Sequence, residues 1–282
     1  MNNTGICVLG HARPKYLFVT LDNLFRVRGI EKYNVHAYID GSEESKVEQF
    51  EWILSRFNLA SYHIRQENYG MNRHTFDSIK TCFDIYGYDE IIVVEHDDIF
   101  SVDFIEYSES LDMEDYFAIC LGRACSPMRA EYFTTCGWRI SRDNFYKFID
   151  WFHGKYWTDI LDPRRVSGNF TEEEAFDGIL LAYILTNKKF CHFCTEKHHA
   201  GNFGVLGLHS SNNNDRKKYD SLFFTGPISQ WIWNVAKLLK EGAYSDSVQL
   251  QFFPRGWDGL CDLLEQTQPA YKDVDANMMW GF

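Results

Sequence analysis

The sequence lacks the two glycine-rich motifs with which many enzymes hold phosphate groups. Neither GxGxxG nor GxxxxGK[ST] is present, which excludes the usual dinucleotide-binding and NTPase sites. No apolar run reaches the about 18 residues that a membrane span needs, so no membrane span is expected. The opening stretch MNNTGICVLG has neither a basic region nor a long apolar core, unlike a secretory signal peptide. We therefore expect a cytoplasmic protein.

Positive charge is also scarce. The chain has 28 Lys and Arg against 40 Asp and Glu, which gives a net charge of −12. Nucleic acids and anionic membrane surfaces are bound through clustered Lys and Arg, so neither is an expected partner. The eight cysteines are scattered along the chain, a pattern that favours free thiols over a disulfide framework.

Short apolar runs alternate with helix-like segments along the first hundred residues. The alternation predicts βαβ units, and therefore an α/β fold with a mainly parallel central sheet flanked by helices. The four predicted strands cover residues 5–10, 34–39, 61–66 and 91–95. Three helices are predicted between them: one that begins at Pro14, one at 43–57 and one near 73–86. Further along the chain we predict strands at 116–122 and 190–194. We predict helices at 103–111, around 145–152, near 172–186 and at 231–242.

The fourth strand runs directly into an acidic cluster. Ile91–Val94 is β-branched and apolar without alternation, as in a strand that is covered on both faces. Glu95, His96, Asp97 and Asp98 follow at once. Clustered carboxylates repel each other and usually meet a cation, and hard oxygen ligands favour Mg²⁺ or Mn²⁺. The alternative interpretation is a solvated loop that is merely acidic. Ligands of open α/β sheets bind at the carboxyl ends of the strands. The sequence therefore predicts a divalent-cation site at this position.

Three segments resemble those of GT-A fold glycosyltransferases. VVEHDDIFSVDFIEY is similar to the metal-site segment of the N-acetylglucosaminyltransferases that initiate complex N-glycans and of family 2 glycosyltransferases. HARPKYLFVTLDNLFR resembles the first loop and helix of the same group, and NFGVLGLH resembles a late glycine-rich loop that ends in His. In this order the segments span about residues 5–210, and they imply a GT-A (Rossmann-like) fold.

The resemblance implies a nucleotide-sugar donor, a UDP-sugar, together with Mn²⁺ or Mg²⁺ on its diphosphate. It makes Asp98 or Asp97 the metal ligand and His209 a late ligand of metal or diphosphate. The remaining residues that it assigns to the donor are Arg13, Asp40, Asn72, Arg73, Glu95 and His96, the last standing where the family has a carboxylate.

The resemblance places the catalytic base in the second half of the chain. In FTEEEAFDGILL, Glu174 is the first candidate and Glu173 the second, because a general base must reach the acceptor hydroxyl. The reaction would move a hexosyl or N-acetylhexosaminyl group with inversion. The alternative interpretation is structural, with Thr171 as N-cap and acidic residues in the first helical turn.

We expect a single GT-A-like domain over 1–282, with a nucleotide-sugar half at about 1–110, an acceptor half at about 111–230 and a C-terminal helical extension at about 231–282. Two other functions stay open: a sugar-phosphate nucleotidyltransferase, which also uses paired acids and a metal, and a non-catalytic GT-A-like binding protein. A further possible metal site, for structural zinc, has Cys191, Cys194, His198 and His199 as ligands, although a strand would place the two cysteines on opposite faces.

Overall fold

The computed structural model describes residues 3–124, 129–131, 133, 135–156, 175–194 and 199–202. The predicted residues Glu173, Glu174, His198 and His209 lie outside these ranges, as does the predicted helix at 231–242. Within the described ranges, no helix combines the length and apolarity that a membrane span requires.

The first half of the chain consists of alternating strands and helices. They are β1 (Thr4–Gly10), α1 (Pro14–Leu24), β2 (Val35–Ile39), α2 (Glu44–Leu54), β3 (Ser61–Ile64), α3 (Met71–Asp84) and β4 (Glu90–Glu95). A short 3₁₀ helix, Ile30–Lys32, precedes β2. Pro14 occupies the first turn of α1, where its missing N–H is not needed. Every strand and helix predicted in this half is present.

The second half is less regular. Its elements are β5 (Asp98–Phe100), α4 (Phe104–Glu109), β6 (Ala118–Ala124), β7 (Arg129–Ala130), β8 (Trp138–Ser141), α5 (Arg142–Tyr156), α6 (Ala175–Thr186), β9 (Cys191–Cys194) and β10 (Ala200–Asn202). The sequence predicted α4, β6, α5, α6 and β9, but not the short strands β5, β7, β8 and β10.

The central sheet has eight strands in the order β3-β2-β1-β4-β8-β6-β9-β7. The first four strands are parallel, with Ile6 of β1 level with Val35 of β2 and Ile92 of β4. β8 is antiparallel to both of its neighbours, β4 and β6. Because β1–β4 are parallel, the loops that follow them lie along one carboxyl edge of the sheet.

Both faces of the sheet are covered by helices. Ile92 and Val94 of β4 belong to one apolar cluster with α1 and α2. Ile91 and Val93 belong to a second cluster with α3, α5 and α6. All four side chains are at most 1% exposed, which explains why the strand is uniformly apolar rather than alternating. The fold is α/β with a central sheet between layers of helices, as the sequence predicts.

Candidate functional site

The acidic residues that follow β4 form one cluster, which we call the acid loop (residues 95–98). One carboxylate oxygen from each of Glu95, Asp97 and Asp98 lies within 4.8 Å of the others. Asp98 is fully buried, Asp97 is 5% exposed, and Glu95 is partly exposed. Three carboxylates this close repel each other unless protons or cations compensate them.

Asp98 is held by backbone groups from two parts of the chain. Its Oδ2 accepts the N–H of Glu95 at 2.9 Å and the N–H of Gly137 at 3.2 Å. Its Oδ1 is buried and has no hydrogen-bond partner among the described residues. Burial, followed by the charges of Glu95 and Asp97, raises the pKa of Asp98 well above its ordinary value. The carboxylate thus has one oxygen fixed in place and one oxygen that lacks a donor or cation.

Gly137 is a part of this site that the sequence reasoning did not find. Its φ is +55°, a left-handed conformation that favours glycine. A Cβ at this position would lie 2.7 Å from the Cβ of Ala200 and 3.1 Å from the ring of Phe104. Only a residue without a side chain brings the backbone N–H this close to Asp98.

Arg13 in the loop between β1 and α1 contacts the acid loop. Its Nη2 lies 2.8 Å from Asp97 Oδ2, and its Nε donates to His96 Nε2 at 2.9 Å. Its guanidinium also lies over the Tyr16 ring, 4.6 Å from the centroid. Because His96 Nε2 accepts this hydrogen bond, the imidazole is neutral. Burial is the main cause that lowers the pKa of His96 to about 4.

Helix α1 holds the backbone of the acid loop through two buried polar side chains. Thr20 Oγ1 lies 2.8 Å from the carbonyl oxygens of both His96 and Asp98. Asn23 donates to the carbonyl of Phe100 at 3.2 Å and accepts the Phe100 N–H at 2.6 Å. These contacts fix α1, and therefore the Arg13 loop, against the acid loop and β5.

Asp40, which follows β2, is buried and bonded to the backbone. Its Oδ1 accepts the N–H groups of Gly41 at 2.9 Å and Tyr69 at 2.8 Å. A Cβ on Gly41 would lie 2.1 Å from the carbonyl carbon of Glu67, so the loops after β2 and β3 are in direct backbone contact. Asp40 therefore joins these two loops. His11 interacts electrostatically with both Asp40 and Arg13, which places Asp40 beside the Arg13 side of the site.

The first turn of α3 carries Asn72 and Arg73. The Arg73 guanidinium lies 3.8 Å from the centroid of the Tyr69 ring, and Arg65 lies 4.4 Å from the same centroid. Arg73 Nε is 3.7 Å from Asp77. Asn72 is 4% exposed, and its Oδ1 has no hydrogen-bond partner among the described residues. Two guanidiniums thus share one aromatic ring and one carboxylate beside Asp40.

Among the described residues, unsatisfied buried polar atoms are concentrated at this edge. Ten buried side-chain nitrogen or oxygen atoms have no hydrogen-bond partner within the part of the chain that the structure describes. Six of them lie in the loops or helix start that follow β1–β4, on His11, Arg13, Ser42, Asn72, Arg73 and Asp98. Buried polar groups are normally paired, so such a concentration is typical of a site that binds a polar ligand.

The residues of the possible zinc site are engaged elsewhere, as far as they are described. Cys191 is buried in β9 beside Cys120. His199 Nδ1 lies 3.3 Å from Asp103 Oδ1, and its ring stacks on Tyr107 at 3.8 Å. His198 and the side chain of Cys194 lie outside the described residues. Among the described side chains, the acid loop alone brings three metal-ligand residues together.

The strand β10 leads the chain to the acid loop. It pairs antiparallel with β5, and Asn202 is level with Asp98. His209 follows Asn202 by seven residues. Its role as a ligand stays a prediction, as do the roles of Glu173 and Glu174.

Comparison with known proteins gives a likeness in fold. No family model and no curated protein sequence matches the chain. Among solved structures, the mannosyltransferase PcManGT from Pyrobaculum calidifontis, in complex with GDP-Man and Mn²⁺, has a TM-score of 0.50 and 11% identity, covering 99% of this chain and 79% of that chain. TarS 1–349 from S. aureus in complex with UDP has a TM-score of 0.45 and 13% identity, covering 98% and 90%. A cytidylyltransferase from Leptospira borgpetersenii has a TM-score of 0.47 and 12% identity, covering 88% and 98%.

At 11% identity, the likeness to the mannosyltransferase concerns the fold alone. With the sheet described above, it assigns this chain a GT-A-like α/β fold.

Proposed function

We propose that the protein is a metal-dependent glycosyltransferase that moves a sugar from a nucleotide-sugar donor, a UDP-sugar, to a hydroxyl acceptor with inversion. The observation that carries the proposal is the acid loop, where Asp98 Oδ1 is buried beside two further carboxylates without a hydrogen-bond partner among the described residues. The transferred group would be a hexosyl or N-acetylhexosaminyl unit, and a cytoplasmic location agrees with the free thiols of the described cysteines.

The donor set of the acid loop fits a divalent cation. Asp98, Asp97 and the adjacent Glu95 all present carboxylate oxygens, the hard donors that Mg²⁺ and Mn²⁺ prefer. Asp98 would be the principal ligand because its Oδ2 is already fixed by two N–H groups. Asp97 is the alternative, although in this structure it is paired with Arg13. When bound, the cation supplies Lewis-acid stabilisation of the departing diphosphate.

The chain's own residues would bind and orient the donor around this cation. Arg13 and Arg73 provide guanidinium groups for phosphate oxygens. Asp40 fixes the loop against which the base would lie, and Asn72 offers a buried amide beside it. Glu95, which is partly exposed, would accept from the ribose hydroxyls, and neutral His96 would keep Arg13 oriented.

Two proposed roles rest on residues outside the described ranges. Glu174, or Glu173, would accept the proton of the acceptor hydroxyl. His209 would complete the cation or diphosphate site, and the pairing of Asn202 with Asp98 supports this role because it brings the chain to the acid loop shortly before His209.

The test is donor hydrolysis and transfer by the Asp98→Asn variant. We expect activity with UDP-sugars and Mn²⁺ to fall about 100-fold or more, the usual scale for loss of a group that stabilises developing charge. The matched control is Asp89→Asn, an exposed carboxyl at the opposite end of the same strand, which should retain full activity. Circular dichroism would check that both variants fold.

Three measurements distinguish the proposed function from its alternatives. Full activity of Asp98→Asn would contradict the assignment of Asp98 as the principal metal ligand. Release of pyrophosphate from a nucleoside triphosphate and a sugar phosphate would identify a nucleotidyltransferase instead. Absence of both activities, together with no affinity for nucleoside diphosphates in Mn²⁺, would leave the non-catalytic binding protein.

A further inference from the structure

A positively charged side chain of the protein, Arg13, already lies against the acid loop. The Arg13 guanidinium is 2.8 Å from Asp97 Oδ2, and the two side chains are 26% and 7% exposed. Arg13 precedes α1, and that helix is fixed to the acid loop by Thr20 and Asn23. The guanidinium is therefore held beside Asp97 by the fold rather than by a flexible surface contact.

Arg13 is held on several sides but has one donor group unused. The Tyr16 ring, His96 Nε2 and Asp97 contact the guanidinium. Its Nη1 is buried and has no hydrogen-bond partner among the described residues. Phosphate oxygens are among the acceptors that a guanidinium binds strongly, so a diphosphate beside the acid loop would satisfy this group.

The position of Arg13 affects any second cation. A divalent ion bound by Asp98 and its neighbours would lie close to a guanidinium in a partly buried site, where like charges repel strongly. It would also compete with Arg13 for Asp97. A nucleoside diphosphate changes this balance, because its phosphates attract both the ion and Arg13.

We propose that Arg13 makes the binding of metal and nucleotide interdependent. In the free protein it neutralises Asp97 and opposes entry of a divalent ion, and in the loaded protein it pairs with a donor phosphate and releases Asp97. This inference rests on the proposed function, since it requires a nucleoside diphosphate and a divalent ion at the acid loop.

The experiment is a Mn²⁺ titration followed through the electron paramagnetic resonance of free Mn²⁺, without nucleotide and with saturating UDP, with GDP as a parallel series. The wild-type protein should bind Mn²⁺ at least about tenfold more tightly with nucleotide, since coupling of this kind is commonly 5–150-fold. The Arg13→Gln variant should bind Mn²⁺ alone about tenfold more tightly than wild type, and its coupling factor should fall by about the same factor, which leaves only the direct attraction between the ion and the phosphates.

Two further variants sharpen the result. Arg13→Lys keeps the charge but not the fork that reaches His96 and Asp97 together, so Mn²⁺ alone should bind as in wild type while the coupling falls in part. Arg26→Gln removes an exposed guanidinium that follows α1 and pairs with Asp22, and it should behave as wild type.

The outcomes distinguish this inference from the proposed function. If wild type and Arg13→Gln bind Mn²⁺ alone equally and show the same coupling, the role of Arg13 is wrong while the donor site stands. If wild type binds no Mn²⁺ with either nucleotide, the proposed function is wrong and the inference falls with it. Should Arg13→Gln fail to fold, unchanged coupling in Arg13→Lys would overturn the inference.

Discussion

At the scale of single residues, the site depends on contacts between distant parts of the chain. The acid loop itself is visible in the sequence as an apolar strand that ends in Glu95, His96, Asp97 and Asp98. The glycine that orients Asp98 is 39 residues away, and nothing local to Gly137 indicates its role. A site whose ligands come from one motif can be predicted from sequence, whereas the groups that orient those ligands depend on the tertiary structure.

Replacement of Gly137 by Ala tests this orienting contact. Ala at positive φ costs about 1 kcal/mol or more, and here the methyl group would also meet Ala200. We expect Mn²⁺-dependent affinity for UDP to fall about 10–100-fold, the usual effect of losing a group that orients a metal ligand. Isothermal titration calorimetry measures the affinity, and urea denaturation measures the stability.

Gly87→Ala is the matched control for that variant. Gly87 also has a positive φ, +75°, but nothing lies within 4 Å of its would-be Cβ. The Gly87→Ala variant should therefore lose free energy of unfolding through backbone strain, but keep its Mn²⁺-dependent affinity for UDP. An unchanged affinity in Gly137→Ala, or equal losses of affinity in the two variants, would contradict the role of Gly137.

At the scale of elements, the sequence predicts best where local pattern and tertiary environment agree. β1 and β4 are continuous apolar runs because both sheet faces are covered, and α1–α3 show helical periodicity because each buries one side. β5, β8 and β10 have three or four residues each. Such short strands form because β4, β6 or each other supplies a partner, so their own sequences contain little signal.

Helix α1 contributes to the site through a side chain of its own, in addition to Arg13 in the loop that precedes it. Thr20 is fully buried, and its hydroxyl reaches two backbone carbonyls of the acid loop. The Thr20→Val variant keeps the shape but leaves those carbonyls without this donor, so we expect a loss of about 1–3 kcal/mol in the free energy of unfolding. Urea denaturation in the presence of EDTA measures it without a contribution from metal.

Thr81→Val is the control for Thr20→Val. Thr81 lies in α3, and its hydroxyl bonds the carbonyl of Asp77 within the same helix, where the backbone ladder already supplies a donor. We expect a change within about 0.5 kcal/mol. A loss for Thr20→Val no larger than that for Thr81→Val would show that α1 does not hold the acid loop.

At the scale of the whole molecule, the chain is acidic overall, but several arginines lie together at one edge of the sheet. The chain carries a net charge of −12, yet Arg13, Arg65 and Arg73 all lie in loops or helix starts along the carboxyl edge of the parallel strands. An anionic donor would otherwise be repelled by an acidic protein. Arg13 stands beside the carboxylates of the acid loop, so the edge offers positive groups for phosphates as well as ligands for a divalent ion, and both fit the proposed donor.

A metal-dependent donor site at the acid loop is tested most directly by a thermal-shift measurement with UDP, GDP, CDP and dTDP, each with Mn²⁺, Mg²⁺ or EDTA. A ligand at about 100 times its Kd adds about 2.7 kcal/mol of stability. We expect a rise in Tm for one nucleotide, UDP, which disappears in EDTA and in Asp98→Asn but persists in Asp89→Asn. No rise with any nucleotide in either metal, or a rise that survives both EDTA and Asp98→Asn, would contradict a metal-dependent donor site at the acid loop.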